Sequence, residues 1–340
     1  MARLYALSLV LAFVAVIVLS LANGAMTIPF SKVMEMTFAE LGLGQGGDFH
    51  RGQHGVLMSI RFPRTLLALL VGAGLSVAGA LMQGLFRNPL ADPGLLGVSS
   101  GAALGAALII VLGGSLGISG VWSLPVAAFV GATVSTVCVM HLSTVGTKTV
   151  VANMLLAGIA INAIAGAGTG FLVYLADDDQ LRDLTFWTLG SFGGASWADV
   201  QLGLFLIGVP TVVALFLSRS LNVMLLGESA AYMLGVKIQR LKQIIVVLVC
   251  ISVGCSVALS GMIGFVGLVV PHLCRLLFGP DNQKVVPASL FLGATLLLGA
   301  DLLSRLVIIP AELPIGIVTS IIGGPFFLAL LSANRKKGLW

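Results

Sequence analysis

Charged side chains are scarce in this 340-residue sequence. They make up 9% of it, against the roughly 25% that a soluble domain carries. With 58% hydrophobic residues and a mean hydropathy of +1.09, the chain cannot coat a water-exposed globule of 35.0 kDa with charge. This scarcity excludes a soluble enzyme, a nucleic-acid-binding domain and a disordered regulator. Most of the chain is therefore expected to lie in membrane lipid.

The sequence also lacks the spacings that metal, redox and nucleotide sites require. Its four cysteines lie in apolar segments and form no C-x-x-C pair, so we expect small buried hydrophobes. Residues 146–149 read Gly-Thr-Lys-Thr, whereas a phosphate-binding P-loop needs Lys directly after Gly. No cofactor or metal is therefore expected to bind at these positions.

Long apolar runs are what the sequence has instead. A membrane-spanning helix needs about 20 apolar residues, and continuous rather than alternating hydrophobicity favours helices over a β-barrel. We predict an all-α, polytopic membrane protein with about ten transmembrane helices in a single domain, 1–340. The first run is longer than a signal-peptide core, which favours a retained helix over a cleaved one. The ten runs are residues 4–23, 64–84, 94–113, 121–141, 149–174, 199–217, 241–262, 264–278, 284–304 and 312–332.

Charges outside these runs indicate how the chain is threaded. With the N-terminus inside, the inner loops hold twelve Lys and Arg residues and the outer loops six, in agreement with the positive-inside rule. Acidic residues divide the other way, three inside and ten outside. Both termini are thus predicted in the cytoplasm, with an outer loop at 24–60 and an outer acidic segment at 176–198.

Two sequence patterns indicate internal symmetry and close helix packing. Residues 74–78 read Gly-Leu-Ser-Val-Ala and residues 254–258 read Gly-Cys-Ser-Val-Ala, five runs apart. Copies in that arrangement would point in opposite directions, as in the inverted repeats of transporters. Glycines recur at every fourth position at 97, 101 and 105, and again at 166 and 170. Such faces either pack within one protomer or form a dimer seam or a pathway lining.

One inner segment, residues 226–240, is too polar to span a membrane but is patterned like two short helices. A first helix precedes a break at Gly235, and a basic helix follows the break. A folded element at the inner face favours a docking site for a cytoplasmic partner. An interfacial helix that lies on anionic lipid is the alternative.

Several stretches of the sequence resemble one known family. Residues 61–65 read Arg-Phe-Pro-Arg-Thr, and residues 87–97 read Arg-Asn-Pro-Leu-Ala-Asp-Pro-Gly-Leu-Leu-Gly. With residues 227–235, 260–272 and 311–319, they are similar to the permease subunits of bacterial type II ABC importers, the FecCD-like family. These importers take up cobalamin, ferric siderophores and haem, and the likeness is greatest to haem permeases.

The resemblance implies a permease in the bacterial inner membrane, active as a homodimer with a translocation path on its two-fold axis. Two copies of a cytoplasmic ATPase, which carry ATP and Mg, would bind inside, and a periplasmic substrate-binding protein would bind outside. Residues 226–240, called the coupling segment from here on, would contact the ATPase. The residues implied in that contact are Gly227, Glu228, Ala231, Leu234, Gly235 and Val236.

The resemblance also implies three further groups of site residues. Arg61, Arg64 and Arg305 match outer arginines that receive acidic residues of the binding protein, for which the rigid guanidinium fork is suited. The alternative for each is a helix-end residue that snorkels to lipid headgroups. The cytoplasmic gate and the possible substrate path are implied at Thr149, Val150 and Asn153, and at Arg182, Met82 and Gln83.

Residues 179–191 are similar to the corresponding segment of haem permeases, so the implied cargo is haem. Ferric siderophores and cobalamin are the alternatives within the same class of importer. Arg182 would meet a haem propionate, unless its acidic neighbours Asp177–Asp179 and Asp183 neutralise it. A secondary transporter driven by an ion gradient is the competing class. Such carriers need ionisable residues at mid-membrane depth, whereas these runs are almost bare of charge.

The outer loop holds His50 and His54, which are four residues apart. On a helix this spacing would place both imidazoles on one face, where they could capture a metal ion or haem. Their glycine-rich surroundings favour solvated loop histidines instead.

Overall fold

The computed structural model describes residues 2–40, 42–43 and 51–336. Their architecture is helical, as predicted. The helices are α1 (Ala2–Ala22), α2 (Phe30–Glu40), α3 (Arg51–Gly55), α4 (Phe62–Phe86), α5 (Val98–Leu112), α6 (Ser123–Ser143), α7 (Val151–Leu175), α8 (Asp178–Leu189), α9 (Trp197–Gly203), α10 (Val209–Met224), α11 (Glu228–Met233), α12 (Ile238–Ser260), α13 (Val266–Phe278), α14 (Asn282–Leu306) and α15 (Ile315–Lys336).

Shorter elements join or interrupt these helices. π-Helical turns at Val56–Arg61 and Leu204–Gly208 connect α3 to α4 and α9 to α10, and a 3₁₀ turn at Pro93–Leu96 precedes α5. Two short strands, β1 (Thr144–Val145) and β2 (Lys148–Thr149), pair antiparallel between α6 and α7.

Helix length and composition agree with a polytopic membrane protein. Within the described residues, seven continuous helical segments are long and apolar enough to cross a bilayer, and three shorter apolar helices accompany them. Each of the ten apolar runs coincides with one of these ten. The all-α, multi-span fold class is confirmed, and the count of ten spans stays a prediction because only seven of the described segments have both the length and the composition of a full span.

Helix α4 lies at the centre of the bundle. The apolar part of the continuous helical segment Gly52–Phe86, which contains α4, is 78% buried, whereas that of Leu4–Ala22 in α1 is only 11% buried. Small residues allow this central position: a Cβ at Gly72 would lie 2.5 Å from the carbonyl oxygen of Gly293 in α14, and one at Gly79 would collide with the backbone of Gly267 in α13.

The repeated sequence patterns also meet at α4. A Cβ at Gly74 would lie 2.7 Å from the Ser252 hydroxyl in α12, with Ser256 nearby. The first copy of the repeat, in α4, thus packs on the helix that carries the second. Whether the two halves form an inverted repeat stays a prediction.

The two glycine faces have different surroundings. Cβ atoms at Gly101 and Gly105 in α5 would collide with the carbonyl oxygens of Gly131 and Ala127 in α6, so this face packs within the protomer. Cβ atoms at Gly166 and Gly170 in α7 would meet nothing within 4 Å. Of the two alternatives, close packing inside one protomer therefore applies to α5, and the face of α7 is left open.

The ion pairs join groups that lie at the same end of the bundle, and the orientation of the chain in the membrane stays a prediction. Each pair among the described residues joins two groups assigned to the same side of the membrane. Arg64 reaches carboxylates assigned to the outside, and Lys242 reaches one assigned to the inside. Below, "outer" and "inner" denote these two ends of the bundle.

Candidate docking and gating sites

At the outer end, Arg64 in α4 lies in a cluster of buried charges. Its Nε donates to both carboxylate oxygens of Asp301 in α14, at 3.0 and 3.2 Å, and its Nη1 donates to Glu312 at 2.9 Å. One turn further along α14, Nε of Arg305 lies 3.2 Å from Asp301. We call Arg64, Asp301, Arg305 and Glu312 the outer network. Two cations and two anions make it formally neutral, which is what permits its burial.

Hydrogen bonds extend the outer network to α1. Nη2 of Arg305 donates to the hydroxyl of Ser20 at 2.8 Å, and the hydroxyls of Ser20 and Thr65 lie 2.9 Å apart. One contiguous set of polar contacts thus fixes the outer ends of α1, α4 and α14, and through Glu312 the chain that leads into α15.

Arg61 closes the outer end of α1 in a different way. Its guanidinium donates to the carbonyl oxygens of Leu21 at 2.7 Å and Ala22 at 3.0 Å, and also to that of Met26. Carbonyls in the last turn of a helix have no partner within the helix and carry its negative dipole end. A buried cation satisfies both needs.

The three arginines predicted to receive the binding protein are therefore buried. Arg61, Arg64 and Arg305 are only 3%, 5% and 7% exposed. Their guanidinium groups already have partners, so their contact with a binding protein stays a prediction. Glu312 is the network member that reaches the surface, with a side chain 42% exposed.

At the inner end, two glycines shape the coupling segment. Gly227 precedes α11 with φ +103°, and Gly235 follows it with φ +84°, both in the region that residues with a Cβ rarely adopt. Between them, Ala231 in α11 is completely buried, whereas the residues that follow it, 232–234, are exposed. The predicted helix–break–helix pattern matches α11, Gly235 and the start of α12.

Exposed apolar side chains cluster on the coupling segment. Tyr232, Met233 and Leu234 are 75%, 86% and 63% exposed, and Leu226 is 68% exposed. Val236 is half-buried beside them. An apolar patch rimmed by charge at the inner face is typical of a protein-interaction surface.

The predicted gate residues lie on and just after the β1–β2 hairpin. Thr149 ends β2 and is 2% exposed, and its hydroxyl lies 3.2 Å from that of Thr144. Val150 precedes α7, and its backbone N–H donates to the carbonyl of Ser143 at 3.0 Å. Asn153 lies half-buried in the first turn of α7. The three residues are therefore close together at the inner mouth of α7.

Two side chains from the first turns of α12 hold this hairpin. Oε1 of Gln239 accepts from the backbone N–H of Thr149 at 2.8 Å, and Nζ of Lys242 donates to the Thr149 carbonyl at 2.8 Å. The same Nζ lies 2.8 Å from Oε1 of Glu228 in α11. Lys242 is 1% exposed. We call Lys242 with Glu228 and Thr149 the inner clamp.

Sequence reasoning missed the inner clamp. Lys242 is one of the twelve Lys and Arg residues assigned to the inner side, and the bundle buries it almost completely. A lysine inside an apolar run was the available signal, because a charge buried there needs a partner. The identity of its partners, one of them 93 positions earlier, could not be read from the sequence.

The possible path residues lie in two different environments. Met82 is fully buried in the protomer core, and Gln83 is 2% exposed, with its amide bonded to the Leu268 carbonyl and to Arg275. Arg182 is exposed on α8, with its guanidinium 6.0 Å from the ring centroid of Phe186. Only Arg182 presents its side chain to a surface in this conformation, and a part in the path stays a prediction for all three.

The outer-loop histidines are only partly described. His50 lies outside the described residues. Nε2 of His54 lies 3.3 Å from a carboxylate oxygen of Glu40. Among the residues that the structure describes, no group of three or more His, Cys, Asp or Glu side chains could hold a metal ion.

Asp281 caps the start of α14 at the inner end. Asp281 accepts from the Asn222 side chain at 2.6 Å and from the backbone N–H of Gln283 at 2.9 Å at the start of α14. These two hydrogen bonds hold the pKa of Asp281 below its usual value. Its ion pair with Lys284, at 3.7 Å, is exposed and weak.

Known proteins resemble this chain over most of its length. A permease protein of the hemin transport system of Yersinia pestis, HmuU, is 46% identical over 283 residues, which cover 83% of this chain and 84% of that protein. The vitamin B12 import permease BtuC of Klebsiella pneumoniae is 42% identical over 287 residues, 83% of this chain and 84% of its own length.

A solved structure agrees with these relatives. An inward-facing metal-chelate type ABC transporter superposes with a TM-score of 0.84 at 32% identity, covering 96% of this chain and 98% of the other. The sequence model of the FecCD transport family matches residues 11–333. The chain therefore belongs to the FecCD transport family and is the permease subunit of a type II ABC importer.

Proposed function

We propose that this permease moves haem from the periplasm to the cytoplasm of a bacterium by alternating access, as a homodimer in the inner membrane. Two copies of a separate ATPase bind its inner face and supply ATP hydrolysis, and a periplasmic binding protein delivers haem to its outer face. The permease chain is one domain over residues 1–340 and hydrolyses nothing itself. Both termini lie in the cytoplasm.

The observation that carries the cargo proposal is the surface around Arg182. Its exposed guanidinium lies beside Phe186 on α8, and Phe171 and Tyr174 are 62% and 84% exposed at the adjoining end of α7. Haem is a flat apolar ring with two carboxylates, so aromatic faces and an arginine fork suit its two parts. The 46% identity to a hemin permease supports the same cargo.

The open face of α7 supports the homodimer. Gly166 and Gly170 are clear of other groups, and Leu156, Ile159 and Ile164 along the helix are between 62% and 68% exposed. Small residues on an unoccupied helix face suit close approach of a second backbone in lipid. A second copy of the chain therefore packs along α7, with the translocation path beside this seam.

The exposed side chains Tyr232, Met233 and Leu234 support ATPase docking at the coupling segment. At the outer end, the binding protein docks at Arg61, Arg64 and Arg305, and its carboxylates displace the exposed Glu312 from Arg64. Ferric siderophores and cobalamin remain the competing cargoes, because a vitamin B12 permease is 42% identical.

The proposal is tested by purifying the tagged chain in mild detergent from its host and identifying the proteins that accompany it. We expect a P-loop ATPase in equal amount, whose hydrolysis rises when haem-loaded binding protein is added. The same ATPase without a response to haem would contradict the cargo. Recovery of no ATPase under conditions that preserve other ABC importers would contradict the importer assembly and favour a gradient-driven carrier.

A pair of variants localises the ATPase contact. Met233→Asp places a charge on the exposed apolar patch of the coupling segment and should remove the ATPase from the purified complex. Val121→Asp alters an equally exposed apolar residue, 89% exposed at the outer end, and should leave the ATPase bound. Equal recovery of the ATPase with both variants would place its docking site elsewhere.

A further inference from the structure

We propose that Lys242 is the positioning residue that joins the coupling segment to the gate hairpin, so that the two move as one body. The proposal rests on the proposed function, because it assumes that an ATPase acts on the coupling segment. Its own evidence is the geometry of one buried ammonium. Nζ of Lys242 lies 2.8 Å from Glu228 in α11 and 2.8 Å from the carbonyl of Thr149 in β2.

The burial of Lys242 makes these contacts obligatory. With a side chain 1% exposed, the ammonium cannot exchange Glu228 for water without carrying its charge alone in a medium of low dielectric. A displacement of α11 away from α12 is therefore opposed unless Lys242, and the hairpin bound to it, follows. An exposed pair at this place would separate at little cost and transmit nothing.

Gln239 gives the hairpin a second attachment that does not involve the coupling segment. Its Oε1 accepts from the N–H of Thr149, so α12 side chains hold both backbone polar groups of this residue. Gln239 thus ties the hairpin to α12 alone, whereas Lys242 ties it to both α12 and α11. Variants of Gln239 therefore test the attachment of the hairpin to α12, and variants of Lys242 test the transmission of movement from α11 to the hairpin.

Transmission has a measurable consequence. With the clamp intact, ATP binding and hydrolysis at the coupling segment move β2 and Val150 at the mouth of α7, and each cycle carries cargo. With Lys242→Met, the ATPase still binds the exposed side chains of α11, but its movement no longer reaches the hairpin. We expect hydrolysis to continue while cargo moved per ATP falls about tenfold or more, within the usual range of coupling between sites.

The experiment uses the complete complex in proteoliposomes, with hemin as cargo, and measures hemin uptake and ATP hydrolysis in the same sample. Lys242→Met and Glu228→Gln should both lower uptake per ATP, and Lys242→Arg should restore most of it because a cation remains. Gln239→Leu should change the rate of uptake more than the ratio. Lys284→Met, which removes the exposed pair with Asp281, is the matched control and should leave the ratio unchanged.

A second readout does not depend on the identity of the cargo. Spin labels at Ser229 and Val145, both exposed, report the separation of the coupling segment and the hairpin. In the wild-type complex this separation should stay the same with and without trapped ATP, and in Lys242→Met or Glu228→Gln it should shift when ATP is trapped. Glu228→Gln alters a half-exposed residue, so it serves even if Lys242→Met does not fold.

The two proposals fail in different ways. If the wild-type chain binds no ATPase, the proposed function is wrong and the inference falls with it. If the wild-type complex binds its ATPase but no variant changes the uptake ratio or the label separation, only the inference is wrong. A fall in the ratio for Lys284→Met equal to that for Lys242→Met would also overturn it, because any inner-face charge would then suffice.

Discussion

The two ends of the helix bundle use their charges differently. At the outer end, Arg64, Arg305, Asp301 and Glu312 satisfy one another in a neutral network, and Arg61 caps α1. At the inner end, one buried lysine depends on Glu228, whose side chain is 41% exposed beside a bare apolar patch. At the outer end the charges are paired within the protomer, whereas at the inner end exposed apolar side chains lie beside the inner clamp. The outer network therefore holds helix ends together, and we expect the inner clamp to transmit movement.

The largest expected effect comes from breaking the outer network at its centre. Asp301→Asn leaves Arg305 without a carboxylate in contact and Arg64 with Glu312 alone, and we expect a loss of about 3–5 kcal/mol in the free energy of unfolding. Thermal unfolding of the purified chain in nanodiscs measures it. Glu35→Gln, which removes the exposed pair with Lys32, should cost less than about 1 kcal/mol.

Equal stability of Asp301→Asn and Glu35→Gln would contradict the view that the outer end is held by its buried charges. Glu228→Gln sharpens the comparison, because it removes one charge from a lysine that keeps the Thr149 carbonyl as a partner, whereas Asp301→Asn removes the carboxylate that two buried arginines share. We therefore expect Glu228→Gln to unfold closer to the wild type than Asp301→Asn does.

The two glycine faces in the middle of the bundle also differ, because the face of α5 is filled within the protomer and that of α7 is open. Gly101→Val drives a Cβ and two methyl groups into the α6 backbone and should destabilise the protomer by about 1–3 kcal/mol or more. Gly170→Val meets open space and should leave protomer stability unchanged while it weakens the dimer. Thermal unfolding and light scattering in detergent measure the two effects. A destabilised protomer with a normal dimer for Gly170→Val would contradict the assignment of α7 as the seam.

The smallest effect concerns pH at the inner end. Hydrogen bonds lower the pKa of Asp281 in the folded chain, so the ionised carboxylate stabilises the fold at pH values above its unfolded pKa of about 3.9. This contribution is lost as the pH falls below that value and through the lowered folded pKa. Asp281→Asn should therefore be less stable than the wild type at pH 7 and approach it by about pH 3. A constant difference at both pH values would contradict an ionised cap.

Much of the fold could be predicted because lipid leaves few choices. Backbone groups in a membrane must be satisfied within the segment, so each continuous apolar run predicted a helix. Loop charges assigned the two groups of each ion pair to the same side, and Gly235 marked the break in the coupling segment.

Contacts between distant helices could not be predicted. The family resemblance implied that Arg61, Arg64 and Arg305 receive a binding protein, and nothing in the sequence indicates that Asp301 and the α1 carbonyls are their partners. The partners of Lys242 could not be predicted for the same reason. The choice between the two glycine faces also required the structure, since spacing alone is identical in α5 and α7.

Uptake into proteoliposomes tests most directly the proposal that this permease moves haem at the expense of ATP. Vesicles that contain the permease with its ATPase should accumulate hemin when hemin-loaded binding protein is outside and ATP is inside. Uptake should stop without ATP and should not occur with cobalamin. Accumulation of cobalamin but not hemin would contradict the cargo, and accumulation driven by an ion gradient without the ATPase would contradict the mechanism.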